Sequence, residues 1–258
     1  MEGVWSGTTD TKLAACFATL GMPVRLEVVV DERRAWKDVR FHIGMTSTHY
    51  PQFSTAVLRA DLMSGALEKR DPCHPLLDCI RGLRNWERLL DACKQSRPVR
   101  LVKHAVADRW TYEEGDRGFC GVGAWMRESG SGELVKSGDL KMVAALGVLG
   151  FEVVQVEGSE GQRRFYLPRW GPKSADGEPA DSQALVAGFR DRSLRERDRD
   201  HPLLWAMFAM QWREKLRRMT EERSPDVMFL KPGSRRAAFI RSDAPDAEWE
   251  RMKRHFQL

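Results

Sequence analysis

The sequence predicts an α+β protein built from two homologous α-β-β-α-α-β-β repeats that form an internal pseudo-dimer, and three observations predict it. A helix-start signature, Asp10-Thr11-Lys12-Leu13-Ala14-Ala15, returns as Asp139-Leu140-Lys141-Met142-Val143-Ala144, and each copy runs on to a Leu-Gly pair, Leu20-Gly21 and Leu149-Gly150. The quartet His74-Pro75-Leu76-Leu77 returns as His201-Pro202-Leu203-Leu204. Around that quartet, residues 58–98 match residues 185–225 at a constant shift of 127 without a gap. The matches there include Leu58/Leu185, Leu67/Leu194, Arg70/Arg197, Asp71/Asp198, Glu87/Glu214 and Pro98/Pro225. Self-similarity at a fixed period marks duplication of a structural unit.

The elements follow in order. The first helix of each repeat spans about 9–20 and 138–149, with Thr8 or Thr9 and Ser137 as N-caps, an aspartate in the first turn, and Gly21 and Gly150 as stops. Val24–Val30 alternates, with Leu26, Val28 and Val30 on one side and Arg25 and Glu27 on the other, as a half-buried strand does. Its counterpart lies around Phe151–Val156. Polar turns over 31–37 and 157–162 lead to the strands Arg40–Ile43 and Arg164–Leu167. Helices over 53–69 and 75–94, and over 183–196 and 202–222, come next. A strand pair closes each repeat, 99–104 with 109–113 and 226–231 with 236–241. Every change in the shift between repeats falls in a connection, where insertions are tolerated. The longest such connection, 171–182, reads as a surface loop.

These elements divide the chain into a first repeat (1–113), a glycine-rich linker (114–136), a second repeat (137–242) and a C-terminal helix (243–258). In that last helix Trp249, Met252 and Phe256 fall at helical spacing. Each repeat is long enough for a core of its own. The 258 residues are 42% hydrophobic and 31% charged, the balance of a soluble globular protein. No apolar run approaches the roughly 20 residues of a membrane helix, and the N-terminus has no secretory pattern, so the expected location is cytoplasmic. Five cysteines, all in the first half, do not repeat with the fold and are expected to be reduced thiols. The net charge of +5 is shared by both halves and permits nucleic acid as a partner without demanding it.

His74 and His201 are the repeat's most tempting pair as metal ligands or acid–base partners, but each precedes a proline where a helix begins, which favours a structural role. Cys73-His74 with Cys79 has the look of a zinc half-site, yet the second repeat lacks the cysteines. Cys79, Leu83, Trp86, Leu90 and Cys93 instead fall on one helical face, so no metal or other cofactor is expected. Phosphate-binding glycine loops, H-E-x-x-H and G-x-S-x-G are missing, which leaves catalysis without support.

The second strands carry more. Arg40 and His42 alternate with Phe41 and Ile43, and Arg164 and Tyr166 repeat that arrangement. With helices over the phenylalanine side, the other face presents a guanidinium beside a flat ring, a surface that grips phosphates and stacks on unpaired bases. Lys103 and Lys231 end the third strands at matching positions, and Arg235-Arg236 makes a basic hairpin tip in the second repeat alone. Single-stranded nucleic acid or RNA is therefore the favoured partner. A protein partner is the alternative, with Trp5, Trp125, Trp170 and Trp249 outside the repeated elements as anchors.

The opening of each repeat, Thr8-x-Asp10-x-Lys12-Leu13 through Leu20-Gly21 and Ser137-x-Asp139-Leu140-Lys141-Met142 through Leu149-Gly150, resembles a group of small domains encoded by phages and mobile elements. In that group the helix is followed by a strand pair with Phe-x-Phe; here Phe41-His42-Ile43 and Phe165-Tyr166-Leu167 depart from it. The resemblance covers about half of each repeat and implies a context, an accessory protein of phage or mobile-element origin, rather than an activity.

Overall fold

The computed structural model describes residues 6–31, 36–47, 50, 52–93, 99–104, 109–114, 134–157, 163–173, 177–222, 226–230, 237–241, 247 and 251. The chain is an α+β protein. Its first half runs β1 (Ser6–Thr8), α1 (Thr11–Thr19), β2 (Val24–Asp31), β3 (Trp36–Ile43), α2 (Thr55–Ser64), α3 (Ala66–Arg70), α4 (Pro75–Ala92), β4 (Val99–His104) and β5 (Arg109–Glu114). The second half runs β6 (Leu134–Ser137), α5 (Leu140–Val148), β7 (Val153–Glu157), β8 (Arg163–Pro168), β9 (Trp170–Lys173), β10 (Pro179–Asp181), α6 (Ser182–Arg190), α7 (Ser193–Arg197), α8 (Pro202–Glu222), β11 (Asp226–Leu230) and β12 (Ala237–Arg241).

The same local chemistry starts and stops α1 and α5. Asp10 and Asp139 are themselves the N-caps, each accepting the next two free amides, Lys12 and Leu13 or Lys141 and Met142. The expected caps Thr8 and Ser137 act one step earlier: their hydroxyls accept the amides of Asp10 and Asp139 at 3.0 and 3.1 Å. A carboxylate outcompetes a hydroxyl at this site because it is the stronger acceptor and carries charge toward the positive helix end. Both helices stop on a left-handed glycine, Gly21 at φ 87° and Gly150 at φ 91°. The next amides, of Met22 and Phe151, close back on the carbonyls of Phe17 and Leu146. Residues 14–19 of α1 and 142–148 of α5 are buried on every face, which is why these helices are rich in alanine and other small residues.

Two short edge strands, and a further hairpin, lie where the sequence predicts none. β1 precedes α1, and β6 occupies the end of the expected linker. Each is three or four residues long, too short for a periodic signal, and exists because it pairs with β3 or β8. The loop expected at 171–182 is instead largely a hairpin: β9 pairs antiparallel with β10, Trp170 opposite Asp181. The corresponding place in the first half holds a single bridge, Thr46 to Ser54.

The helices expected at 53–69 and 183–196 are each broken in two. The breaks fall at equivalent positions, Gly65 (φ 71°) and Arg192 (φ 73°), both left-handed. On α4 the buried side drifts from the expected stripe, with Leu89 2% exposed and Leu90 37% exposed. Of the C-terminal helix expected at 243–258, Ala247 and Arg251 are helical and the rest lies outside the described residues.

The chain forms two compact units, and neither is a continuous stretch: unit one comprises Met1–Ile80 with Phe208–Leu258, unit two Arg81–Met207. The strand orders give the reason. In unit one the sheet reads β1-β3-β2-β11-β12, so the closing hairpin of the second half completes the sheet begun by the first. In unit two it reads β5-β4-β7-β8-β6, with the first half's hairpin completing the second half's sheet. The junctions match: β11 meets β2 at Met228–Val24 and Val227–Arg25, and β4 meets β7 at Leu101–Val153 and Arg100–Val154.

Within unit one the core joins Phe17, Met22, Val24, Leu26, Phe41 and Ile43 to Leu58, Leu67 and Leu76. Within unit two Phe151, Val153, Phe165 and Leu167 pack with Leu185, Leu194, Leu203 and Trp205. A buried hydroxyl ties the strand end to the helix start in each: Thr55 donates to the Gly44 carbonyl, and Ser182 to that of Pro168. One pair of positions has traded volume. Where unit one has Met22 and Ser47, unit two has Phe151 and Gly171, and a Cβ on Gly171 would lie 2.4 Å from the Phe151 ring. The larger ring fits only because its neighbour has no side chain.

Candidate nucleic-acid interface

In unit one the strand alternation sorts the side chains of the sheet. Val24, Leu26, Phe41 and Ile43 are buried, while Arg25 and Arg40 are exposed and His42 is half-buried. Register then sets neighbours: Arg25 lies directly opposite His42 on one side, Gly7 on the other. Direct antiparallel partners lie about 5 Å apart, so Arg25 and His42 are neighbouring positions in one row of the face opposite the buried side chains. Gly7 adds no side chain, and a Cβ there would touch the His42 ring at 4.0 Å. At this same edge the Arg59 guanidinium, from α2, donates to the Gly7 carbonyl at 3.2 Å. Arg40 stands one row further along, opposite Glu27.

In unit two Phe165 and Leu167 are buried and Tyr166 is half-buried. Tyr166 pairs with Lys136, which is exposed, on β6 and with Val154 on β7, which in turn pairs with Arg100 on β4. The ring thus shares its row with two basic positions, one from each half of the sequence. Arg164 follows one row on, opposite Val156. Arg40 with His42 and Arg164 with Tyr166 therefore hold equivalent strand positions in separate sheets.

The remaining basic candidates are placed differently. Lys103 is three residues from Arg100 on β4, in the alternation class of Leu101, whose partner Val153 is buried; it does not share the Tyr166 row. β4 is also an interior strand, between β5 and β7. Lys231, Arg235 and Arg236 lie outside the described residues. Arg25, Lys136 and Arg100 join the site without having been singled out by the sequence pattern. Arg25 is visible there as an outward strand position, but Lys136 falls in the expected linker, and Arg100 joins Tyr166 only through a long-range pairing.

His74 and His201 are helix caps. The Nδ1 atoms accept the amides of Leu76 and Leu203 at 3.1 and 3.2 Å, and their carbonyls accept those of Leu77 and Leu204. Burial lowers both imidazole pKa values below the ordinary 6.5; a nearby aspartate, Asp71 or Asp198, opposes this, and Arg70 or Arg197 adds to it. His74 also packs on the Phe53 ring at 4.8 Å. The Asp200 backbone carbonyl accepts the Trp205 indole N–H at 2.9 Å. Cys16 and Cys79 are buried thiols, while Cys73 is exposed. Among the described residues no group of three His, Cys, Asp or Glu side chains is placed to hold a metal ion. No helix among them is long and apolar enough to cross a membrane. No family model, curated protein or solved structure matches this chain.

Proposed function

We propose that this chain is a non-catalytic nucleic-acid-binding accessory protein, an internal pseudo-dimer of two homologous units that exchange their closing hairpins, in the phage or mobile-element context its helix openings imply. One observation carries the reading: in each unit a planar side chain, His42 or Tyr166, sits on the outer sheet face among basic positions, with a buried apolar row beneath it. A sheet face of rings and cations suits contact with phosphates and with the faces of unpaired bases. Arg40 and Arg164 act as phosphate contacts and His42 and Tyr166 as ring contacts, with Lys231, Arg235 and Arg236 added as phosphate contacts from the sequence alone.

The test is fluorescence anisotropy with labelled single-stranded and duplex probes over a salt series. Arg40→Ala combined with Arg164→Ala should weaken binding and flatten the log–log salt slope by roughly 1.4 to 1.8, the change for two lost phosphate contacts. Unchanged affinity and slope would sink the assignment. A second reading, a protein–protein adaptor or subunit of a larger complex, draws on the exposed apolar side chains of α2, Val57 at 54% and Met63 at 79% exposure. It predicts one stoichiometric protein recovered from the host after nuclease treatment, with Met63→Lys abolishing recovery.

A further inference from the structure

We propose that the chain after β12 folds back as an amphipathic helix and seats Trp249, Met252 and Phe256 on the outer face of unit one's closing hairpin, over Val227, Phe229, Ala238 and Ile240. The register gives the sheet positions. Val24 is buried and pairs with Met228, which pairs with Phe239. Arg25 is exposed and pairs with Val227, which pairs with Ile240. Direct partners share a face and faces alternate along each strand, so Val227, Phe229, Ala238 and Ile240 hold outer positions. All four are apolar, on the face that carries Arg25 on β2 and Arg40 on β3.

Such a hairpin calls for a cover. An antiparallel strand with one side in water alternates polar and apolar residues, whereas a strand buried on both sides is apolar throughout. Val227–Leu230 and Ala237–Ile240 are unbroken apolar runs. The duplication supplies the contrast. At the equivalent positions of unit two, β4 and β5 carry Arg100, Val102, Thr111 and Glu113, three of them polar. One closing hairpin thus has a polar outer face and the other an apolar one. The core side of the unit-one sheet is already closed, with Val24, Leu26, Phe41 and Ile43 at most 2% exposed.

The occupant follows from the chain itself. β12 is an edge strand, and the residues after it, to Leu258, belong to unit one. Ala247 and Arg251 are helical and both are exposed. At about 100° per residue, Trp249, Met252 and Phe256 fall on the side of that helix opposite Ala247 and Arg251. A helix this short is marginal alone in water and is stabilised by burying such a stripe. The dimensions agree: Trp249 to Phe256 spans about 10 Å of helix, and the four sheet positions span about 7 Å along the strands and about 5 Å across. The chain after β5 carries six glycines over 115–132 instead, a composition that disfavours a helix there. Arg25 and Arg40 are exposed, which keeps the helix to the β11–β12 side. The contact stands whether or not the sheet binds nucleic acid; a ligand on this face is confined to β1, β3 and β2.

Hydrogen exchange on the full chain, read by mass spectrometry, tests the contact. Amides of residues 248–256 should be protected in the parent. Phe229→Asp and Trp249→Asp should each abolish that protection, while Val102→Asp, the equivalent change in unit two, should leave it intact. An unprotected segment in the parent, or protection that survives Phe229→Asp, overturns the proposal. Protection that disappears on dilution, together with a dimer in sedimentation, also overturns it, because the occupant is then a second copy. A milder pair covers the case in which an aspartate variant fails to fold. Phe229→Ala and Trp249→Ala should each lower the urea midpoint, and together lower it by clearly less than the sum of the two shifts; additive shifts overturn the contact.

Discussion

The two capping histidines make stability depend on pH in a direction the structure dictates. Each Nδ1 accepts a helix amide, so it must be unprotonated. Protonation replaces the acceptor with a donor facing a donor and puts a positive charge at the positive helix end. An N-cap contributes about 1 kcal/mol and the misplaced charge costs roughly 0.3–1 kcal/mol, so each histidine should cost about 1–2 kcal/mol when charged. The sign follows from the lowered pKa values. Burial, the largest cause, holds both imidazoles below 6.5, so the unfolded chain binds more protons than the folded one and stability rises with pH. The contribution is complete above the unfolded value of about 6.5 and is lost as pH falls through the folded values.

Urea unfolding at pH 7.5, 6.0 and 5.0 reads this directly as a fall in midpoint at constant slope. His74→Asn with His201→Asn supplies a cap of similar strength that does not titrate in this range. That variant should lose much less stability than the parent between pH 7.5 and 5.0, each single variant falling between. The absolute stability of His74→Asn will also drop through the lost Phe53 contact, so the pH difference is the diagnostic quantity. An equal pH loss in parent and double variant would refute the capping argument.

Two further outcomes follow from the backbone and the topology. Arg192 carries a Cβ in the left-handed region at a cost of roughly 1–2 kcal/mol, against about 0.5–1 kcal/mol of extra unfolded-chain entropy for glycine. Arg192→Gly should therefore stabilise by about 0.5–1 kcal/mol and Gly65→Ala destabilise by a similar amount, both read from urea midpoints; opposite signs would mean side-chain contacts dominate. No atom lies within 4 Å of a Cβ at Gly65, which isolates the backbone term. Dividing the chain between β5 and β6 leaves each sheet without its closing hairpin. Neither half should be a folded monomer by circular dichroism and sedimentation, and an equimolar mixture should recover a 1:1 complex. Cooperative unfolding of either half as a monomer would contradict the exchange.

The candidate interface is partly legible in the sequence. Phe41 and Ile43 alternate with Arg40 and His42 at period two, and one buried side is enough to assign the other. The histidine caps are equally readable, because His-Pro at a helix start restricts what the side chain can do. Short strands are not: Ser6–Thr8 has no periodicity, and its conformation comes from its neighbour β3. Lys136 is hidden for the same reason.

By itself the sequence determined where helices α1 and α5 begin and end, which strand faces are apolar, and that these marks recur along the chain. Those properties are local, set by a carboxylate two residues from an amide, a glycine at positive φ, or alternation along a strand. Tertiary structure alone decided which hairpin completes which sheet. A strand edge offers the same amides and carbonyls to any partner, so β2 bears no mark that it pairs with β11, about two hundred residues away, rather than with β4. That choice puts Arg100 of the first half in the row of Tyr166 and Lys136 of the second, giving unit two a row with basic positions from both halves of the chain.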